Sequence, residues 1–422
     1  MKKQILVFFM LLFCVFIKAQ NVGIGTITPN TTAQLEISAS NKGVLIPRIA
    51  LTGNTDVVTI PNPVTSLLIY NTSSAGIGLL AVRPGYYYWD GAAWLLLSTN
   101  GQTVWSLNGN IGTSPALNFV GTRDNQSLLF KINNQNAGYL GVGGNIYMGL
   151  KSGDINSTGH SNIVIGNNAL PQNTDRNNLI AIGDSALFNN AVGATQSFHG
   201  SRNTAVGSKS LFANTIGYDN TANGYQSLYS NTSGYSNTAS GITALYSNTI
   251  GFSNTATGEQ ALYSNVDGSE NTAIGSGTLF TNTSGVTNTA IGFTALFSNT
   301  NGNNNTASGN SALYLNTTGS ENTATGFISL IGNTTGNYNT ATGSGALGNN
   351  NNGSDNSAVG HNALRNNISG NNNTAIGNIA LVSNTTGFSN VALGTSALKS
   401  NTDRSNLVAI GDSALFKNGM GL

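Results

Sequence analysis

Side chains able to do acid, base or metal chemistry are few and scattered. His160, His199 and His361 are the only 3 histidines, and none has a second ligand or carboxylate at metal-binding spacing. Asp219, Glu259, Asp267, Glu270, Glu321 and Asp355 lie singly, without the clustered carboxylates or basic groove of a polysaccharide hydrolase or lyase. The aspartate that a calcium-binding nonapeptide roll needs in every turn is missing. Gly23-x-Gly25 reads as a turn, because no helix pattern follows it to cradle a phosphate. The expectation is a protein that is not an enzyme, with no cofactor and no metal.

The N-terminus gives the compartment. Residues 1–19 open with Lys2 and Lys3, run apolar from Ile5 to Ile17 and end at Ala19, the grammar of a secretory signal peptide. That run is short for a membrane span. Cys14 follows Phe13, where lipidation needs a small residue, so the exported chain is expected to carry no thiol and no disulfide. Removing Lys2, Lys3 and Lys18 takes the 16 basic residues to 13, against 15 acidic ones, a net charge of −2. With only 7% charged residues, where about 25% is usual, neither a conventional globular enzyme nor a nucleic-acid binder fits. The expected location is secreted or cell-surface, on the outer face of a Gram-negative cell.

The elements that would position any surface are set by a repeat. The pentad Asn203-Thr204-Ala205-Val206-Gly207 recurs every 17 residues from Asn220 to Asn390, with further copies at Asn162, Leu179 and Leu407, making 15. One step is longer, 24 residues, because seven extra residues sit around 191–200. The fifth position is always Gly (Gly207, Gly224, Gly241), the ninth always Leu (Leu211, Leu228, Leu245) and the twelfth always Asn (Asn214, Asn231, Asn248). Gly and Asn turns leave two runs of about five residues per copy, the length of short strands, and so much Gly, Asn and Thr disfavours helix. The reading is all-β: each copy is one coil of a parallel β-roll or β-solenoid, about 4.8 Å from the next. Leu then forms an inward stripe and Asn an amide ladder. The apolar supply per coil is thin, so neighbouring chains are expected to complete the core as a homo-oligomer.

Asn271-Thr272-Ala273-Ile274-Gly275, Asn288-Thr289-Ala290-Ile291-Gly292 and Asn162-Ile163-Val164-Ile165-Gly166 resemble the head repeats of YadA-like trimeric autotransporter adhesins. The resemblance covers residues 156–422 and implies a left-handed parallel β-roll, a homotrimer and display outside the cell for attachment. Such adhesins continue into a heptad stalk and a membrane β-barrel. Neither precedes Leu422, so an anchoring or capping partner is expected.

Residues 20–99 read as a β-rich adaptor module. Asn21 to Thr26, Leu35 to Ile37, Lys42 to Arg48, Leu67 to Asn71 and Gly85 to Trp94 look like the leading module of tail-fibre-like surface proteins, with a hairpin turn at Asp90-Gly91. Residues 100–155, with Gly121 to Gln126 and Phe130 to Ile132, resemble the β segment that connects that module to the roll.

Four surfaces are candidates for binding or modification. Tyr86, Tyr87, Tyr88, Trp89 and Trp94 suit a sugar platform, though such clusters are more often a module's core. The tenth repeat position is aromatic from Phe188 through Phe212, Tyr229, Tyr246, Tyr263, Phe280 and Phe297 to Tyr314. It then becomes Ile331, Gly348, Arg365, Val382 and Lys399, so the column is expected to be partly exposed. Paired threonines (Thr255/Thr257, Thr323/Thr325, Thr340/Thr342) suit ice or carbohydrate, or simply strand chemistry. Asp184-Ser185-Ala186 and Asp412-Ser413-Ala414 look like acceptors of bacterial O-glycosylation, within twin segments Asp175–Phe188 and Asp403–Phe416 that suggest capping near both ends. The expected role is an adhesin-like fibre attaching to cells, matrix or glycans; the alternative is a shaft with no ligand.

Overall fold

The computed structural model describes residues 21–97, 114, 119–154 and 158–417. The leader 1–19 lies outside them. The chain is all-β and divides into two units, 1–120 and 121–422.

In the first unit, a parallel ribbon of β1 (Val22–Ile24) and β2 (Leu35–Ile37) precedes a four-stranded sheet. That sheet runs in the order β3 (Arg48–Ile49), β4 (Leu68–Asn71), β5 (Gly85–Trp89), β6 (Trp94–Leu96), with β3–β4 parallel and the rest antiparallel. Period-two alternation decides what the aromatic cluster does: Tyr87, Trp89 and Trp94 point into a core with Leu51, Ile69 and Val82, while Tyr86 is exposed. At the Asp90-Gly91 turn, the Asp90 carboxylate accepts from the Ala92 and Ala93 amides, which hold it below the usual carboxylate range. Two buried polar groups tie the loops down. Asn71 accepts from the Leu51 amide and donates to the Ser73 and Arg83 carbonyls. Burial alone would raise the Asp56 pKa, but hydrogen bonds from the Thr59 hydroxyl and the Thr59, Thr52 and Val58 amides outweigh it and hold the carboxyl low.

The second unit is one long ladder. A hairpin of β7 (Leu128–Ile132) and β8 (Gln135–Leu140) turns through Asn133 and Asn134, both left-handed, as a two-residue hairpin requires. β9 (Ile146–Met148) pairs antiparallel with β8 and parallel with β10 (Ile163–Ile165). From β10 to β24 (Val408–Ile410) every strand is parallel to the next, with Thr221 opposite Thr238 and Ala222 opposite Ala239, and so on up the stack.

Three features differ from the sequence reading. First, each coil holds one three-residue strand, at the second to fourth positions, not two of about five. The second run is a turn in which every other residue has positive φ. The fifth, seventh and ninth residues all have positive φ, as in Gly224 (139°), Gln226 (53°) and Leu228 (51°). Through this turn the amides reach both neighbours: Gly224 and Gln226 donate to the coil before (Val206 and Ser208 carbonyls), Leu228 and Ser230 to the coil after (Ala244 and Tyr246 carbonyls). A left-handed leucine costs about 1 kcal/mol or more, and its complete burial together with its hydrogen bond offsets that cost.

Second, the core closes within one chain. The coil starting at Asn237 fully buries Ala239, Ala244, Leu245, Asn237 and Asn248, and its neighbours do the same. Small alanines bring the two walls together, so no neighbouring chain is needed to fill the inside.

Third, the solenoid starts one coil earlier than residue 156. Asn145-Ile146-Tyr147-Met148-Gly149 occupies the pentad positions, and the Asn145 side chain donates to the Gly159 carbonyl and accepts from the Asn162 amide, as in later coils. Tyr147 stands where later coils have Ala, and Gly153 where they have Leu. A Cβ on Gly153 would lie 2.7 Å from the Tyr147 ring, so the large ring fills the space the leucine vacates.

The seven extra residues fall in one turn. Asn190 donates to the Gly200 carbonyl across the insertion, where Asn248 needs to reach only Gly251. The widened turn receives the Arg176 side chain from the coil below, whose Nη1 donates to the Ser197 carbonyl and pairs with Asp175. Except at Arg404, near the end of the stack, this position is elsewhere Gly, because a Cβ would meet the next coil: on Gly251 it would lie 2.9 Å from the Asn265 amide nitrogen.

Candidate functional site

Stacking at a fixed spacing turns each repeat position into a column. At the tenth position eight rings from Phe188 to Tyr314 stack with centroids 5.0–5.2 Å apart and planes within 12°. Each of Phe188, Phe212, Tyr229, Tyr246, Tyr263, Phe280, Phe297 and Tyr314 is half-buried. Every interior ring has a neighbour over both faces, so this column offers ring edges and tyrosine hydroxyls to solvent. From Ile331 to Lys399 the column carries no ring, and it ends on Phe416, whose ring centroid lies 5.2 Å from the Lys399 ammonium.

Burial raises the Tyr246 pKa, reinforced by the charge that Tyr229, Tyr263 and Tyr225 would carry when ionised. The unfolded chain, with tyrosines near pH 10, therefore deprotonates first as pH rises. The stability that Tyr246 contributes is full below about pH 10 and falls above it. Denaturant midpoints should drop between pH 9 and pH 11 by less in Tyr246→Phe than in the unaltered chain, with absorbance at 295 nm reporting phenolate formation.

A second aromatic column lies at the sixteenth position, which sequence reasoning missed. Tyr218, Tyr235 and Phe252 stack 5.0 Å apart with planes within 4°. Phe198, on the insertion, meets Tyr218 edge-on at 5.0 Å, and His199 lies edge-on to Phe198. The signal was present as three aromatics at 17-residue spacing, but only three consecutive coils carry it, with Phe388 a lone ring at the same position higher up. Higher up, Ser and Asn replace the rings and bond along the stack, as where Asn303 accepts from the Val286 amide and Ser320 from the Asn303 amide.

Asparagine forms two buried columns. At the twelfth position Asn231 donates to Asn214 and Asn248 to Asn231, each at 2.8 Å. At the first position, Asn254 donates through its backbone (3.0 Å) and its side chain (3.1 Å) to Asn237. The two columns meet at the glycine carbonyl of the fifteenth position, where Gly251 accepts from both Asn248 and Asn237. Leu211, Leu228, Leu245, Asn214, Asn231 and Asn248 are all fully buried, which makes them framework, not contact surface.

The solvent face of the parallel sheet carries the second and fourth positions. Thr323 lies opposite Thr340 and Thr325 opposite Thr342, all exposed. Below and above these rows the same face turns apolar, with Ile274, Ile291, Ile376, Leu393 and Ile410 exposed. Of the two Asp-Ser-Ala segments, Ser413 is exposed and Ser185 is buried. Among the described residues no group of three His, Cys, Asp or Glu side chains is placed to hold a metal ion, and His160, His199 and His361 lie on three different coils.

Residues 23–111 match the family model of a phage tail like trimerisation region. No curated protein and no solved structure matches the chain. A trimerisation region followed by a repetitive β-solenoid describes a fibrous structural protein, and the match supports a homotrimer.

Proposed function

We propose that this fibrous protein is exported, stands at the cell surface as a homotrimer and serves as an adhesin-like attachment element for cells, matrix or glycans. Export rests on the signal-peptide pattern of residues 1–19, and trimer formation on the match over residues 23–111. The apolar stretches on the solenoid's sheet face, including Ile274, Ile291 and Leu393, give copies of the chain a surface to share. Attachment is carried by the eight-ring column, whose half-exposed edges repeat at 5 Å and so offer a long or repetitive ligand many weak, equivalent contacts.

The covered ring faces favour a second reading, a ligand-free shaft in which the rings only stiffen the stack. Glycan-array and whole-cell binding of the full chain separate the two. The attachment reading expects saturable binding that falls at least tenfold when Tyr229, Tyr246 and Tyr263 are replaced by Ile, the residue the column itself uses at position 331. A chain that binds no surface in either assay is a shaft.

A further inference from the structure

The ribbon of β1 and β2 is the part of the first unit that cannot stand as it is. A two-stranded sheet is at best marginally stable in water, and this one is only three residues long on each strand. Its register places Val22 beside Leu35 and Ile24 beside Ile37, with Gly23 beside Glu36 between them. Strand alternation therefore puts Val22, Ile24, Leu35 and Ile37 on one face and Gly23 and Glu36 on the other.

Among the described residues, the chain covers only the second face. A Cβ on Gly23 would lie 2.6 Å from the Thr26 carbonyl and 2.7 Å from the Pro29 ring, so the connecting loop lies directly against that side. The Glu36 carboxylate accepts from the Asn30 amide, and the Asn21 side chain donates to the Asn30 carbonyl, fastening the loop there. On the opposite face Val22 is 55% exposed, Ile24 55%, Leu35 53% and Ile37 41%. None of the four belongs to the core built around Leu51, Ile69 and Trp94.

We infer that this bare apolar face is the contact through which three copies of the chain associate, the ribbons packing face to face around the trimer axis. The inference rests on the homotrimer reading and assigns it a place. A second copy is the occupant because the matched trimerisation region, 23–111, begins inside β1 and takes in β2. Four apolar side chains from each of three ribbons make a closed core of the kind no single ribbon can form, and burial of that surface supplies the driving force.

Sedimentation velocity of the full chain at micromolar concentration tests this with two variants. Ile24→Asp/Ile37→Asp places carboxylates on the ribbon face. Val58→Asp places one on a different exposed apolar residue of the same unit, 85% exposed. The expected result is a trimer for the unaltered chain and for Val58→Asp, and at least a tenfold rise in the concentration needed for association in the double variant. Trp fluorescence from the buried Trp89 and Trp94 should stay unchanged in all three.

A double variant that remains as trimeric as the parent overturns the inference and leaves the trimer reading standing, as does loss of the trimer in both variants alike. A monomeric parent overturns the trimer reading itself. Should the double variant misfold, Ile24→Cys in a Cys14→Ser background, treated with a short bis-maleimide, keeps the question open to measurement: chain-to-chain cross-linking is expected, and its absence from a trimeric sample overturns the assignment.

Discussion

Gly241→Ala should uncouple the solenoid at one rung, lowering stability by about 4 kcal/mol or more. Gly241 has φ of 143°, and a Cβ there would lie 2.6 Å from the carbonyl carbon of Gly258 in the next coil. That carbonyl cannot move away, because the strands, the turn amides and both asparagine columns set the same coil spacing. Two controls divide the cost into its parts. Gly411, in the last described coil, has φ of 122° and nothing within 4 Å of its would-be Cβ, so Gly411→Ala carries the backbone term without the clash. Gly277 has φ of 63°, its nearest neighbour is 3.4 Å away, and other coils hold Lys209, Gln226 or Ile328 at that position, so Gly277→Ala should cost under about 1 kcal/mol. Guanidinium denaturation gives the ranking, and hydrogen exchange should show protection lost on both sides of Gly241, as nearest-neighbour coupling in a repeat array requires. Equal midpoints for Gly241→Ala and Gly411→Ala would remove the clash from the account.

The solenoid was legible because each coil repeats the same solution to the same problem. A column of identical residues in sequence becomes a column in space, so the Gly at the fifth position, the Leu at the ninth and the period itself point directly to a stacked coil. The conformation within the coil was not legible. Leucine is normally a signal for right-handed or extended backbone, and nothing in the residue type of Leu245 announces its φ of 52°. Only the hydrogen-bond requirement of the turn explains it, with the amides of the fifth and seventh residues aimed at the coil before and those of the ninth and eleventh at the coil after. Counting two strands per coil followed from treating every run between turns as extended.

The expectation that copies complete the core failed for a related reason. Apolar residues were weighed alone, whereas the coil fills its interior with asparagine amides that satisfy one another, which lets polar groups occupy space as fully as methylenes do. The case for association moves to exposed surface: the apolar rows of the sheet face and the bare side of the N-terminal ribbon. The candidate contact column at the tenth position was visible as a run of aromatics. That neighbours cover its ring faces follows from the coil spacing and could only be weighed once the stacking geometry was known.

The same amide columns make Asn248→Leu a severe substitution despite similar volume. Asn248 donates to Asn231 in the coil below and to the Gly251 carbonyl in its own coil, and accepts from Asn265 in the coil above. Leucine removes all three. It leaves the Asn231 carbonyl oxygen facing a methyl group in a site with no access to water, and it deprives Asn265 of one of its two acceptors, the Gly268 carbonyl remaining. Each stranded buried group costs about 1–3 kcal/mol, so a loss of about 3 kcal/mol is expected. Asn248→Asp tests the electrostatic side of the same site: it keeps the acceptor for Asn265 but loses both donors and places a buried carboxylate oxygen against the Asn231 oxygen, so it should be at least as damaging at neutral pH and recover part of the loss in acid, where a protonated carboxyl can donate again. Ser276→Ala, at an exposed position, should change the midpoint by less than about 0.5 kcal/mol. An Asn248→Leu chain as stable as the Ser276→Ala control would mean that the column fills space without holding the coils together, and the stability of the fibre would then rest on the backbone ladder and the leucine stripe.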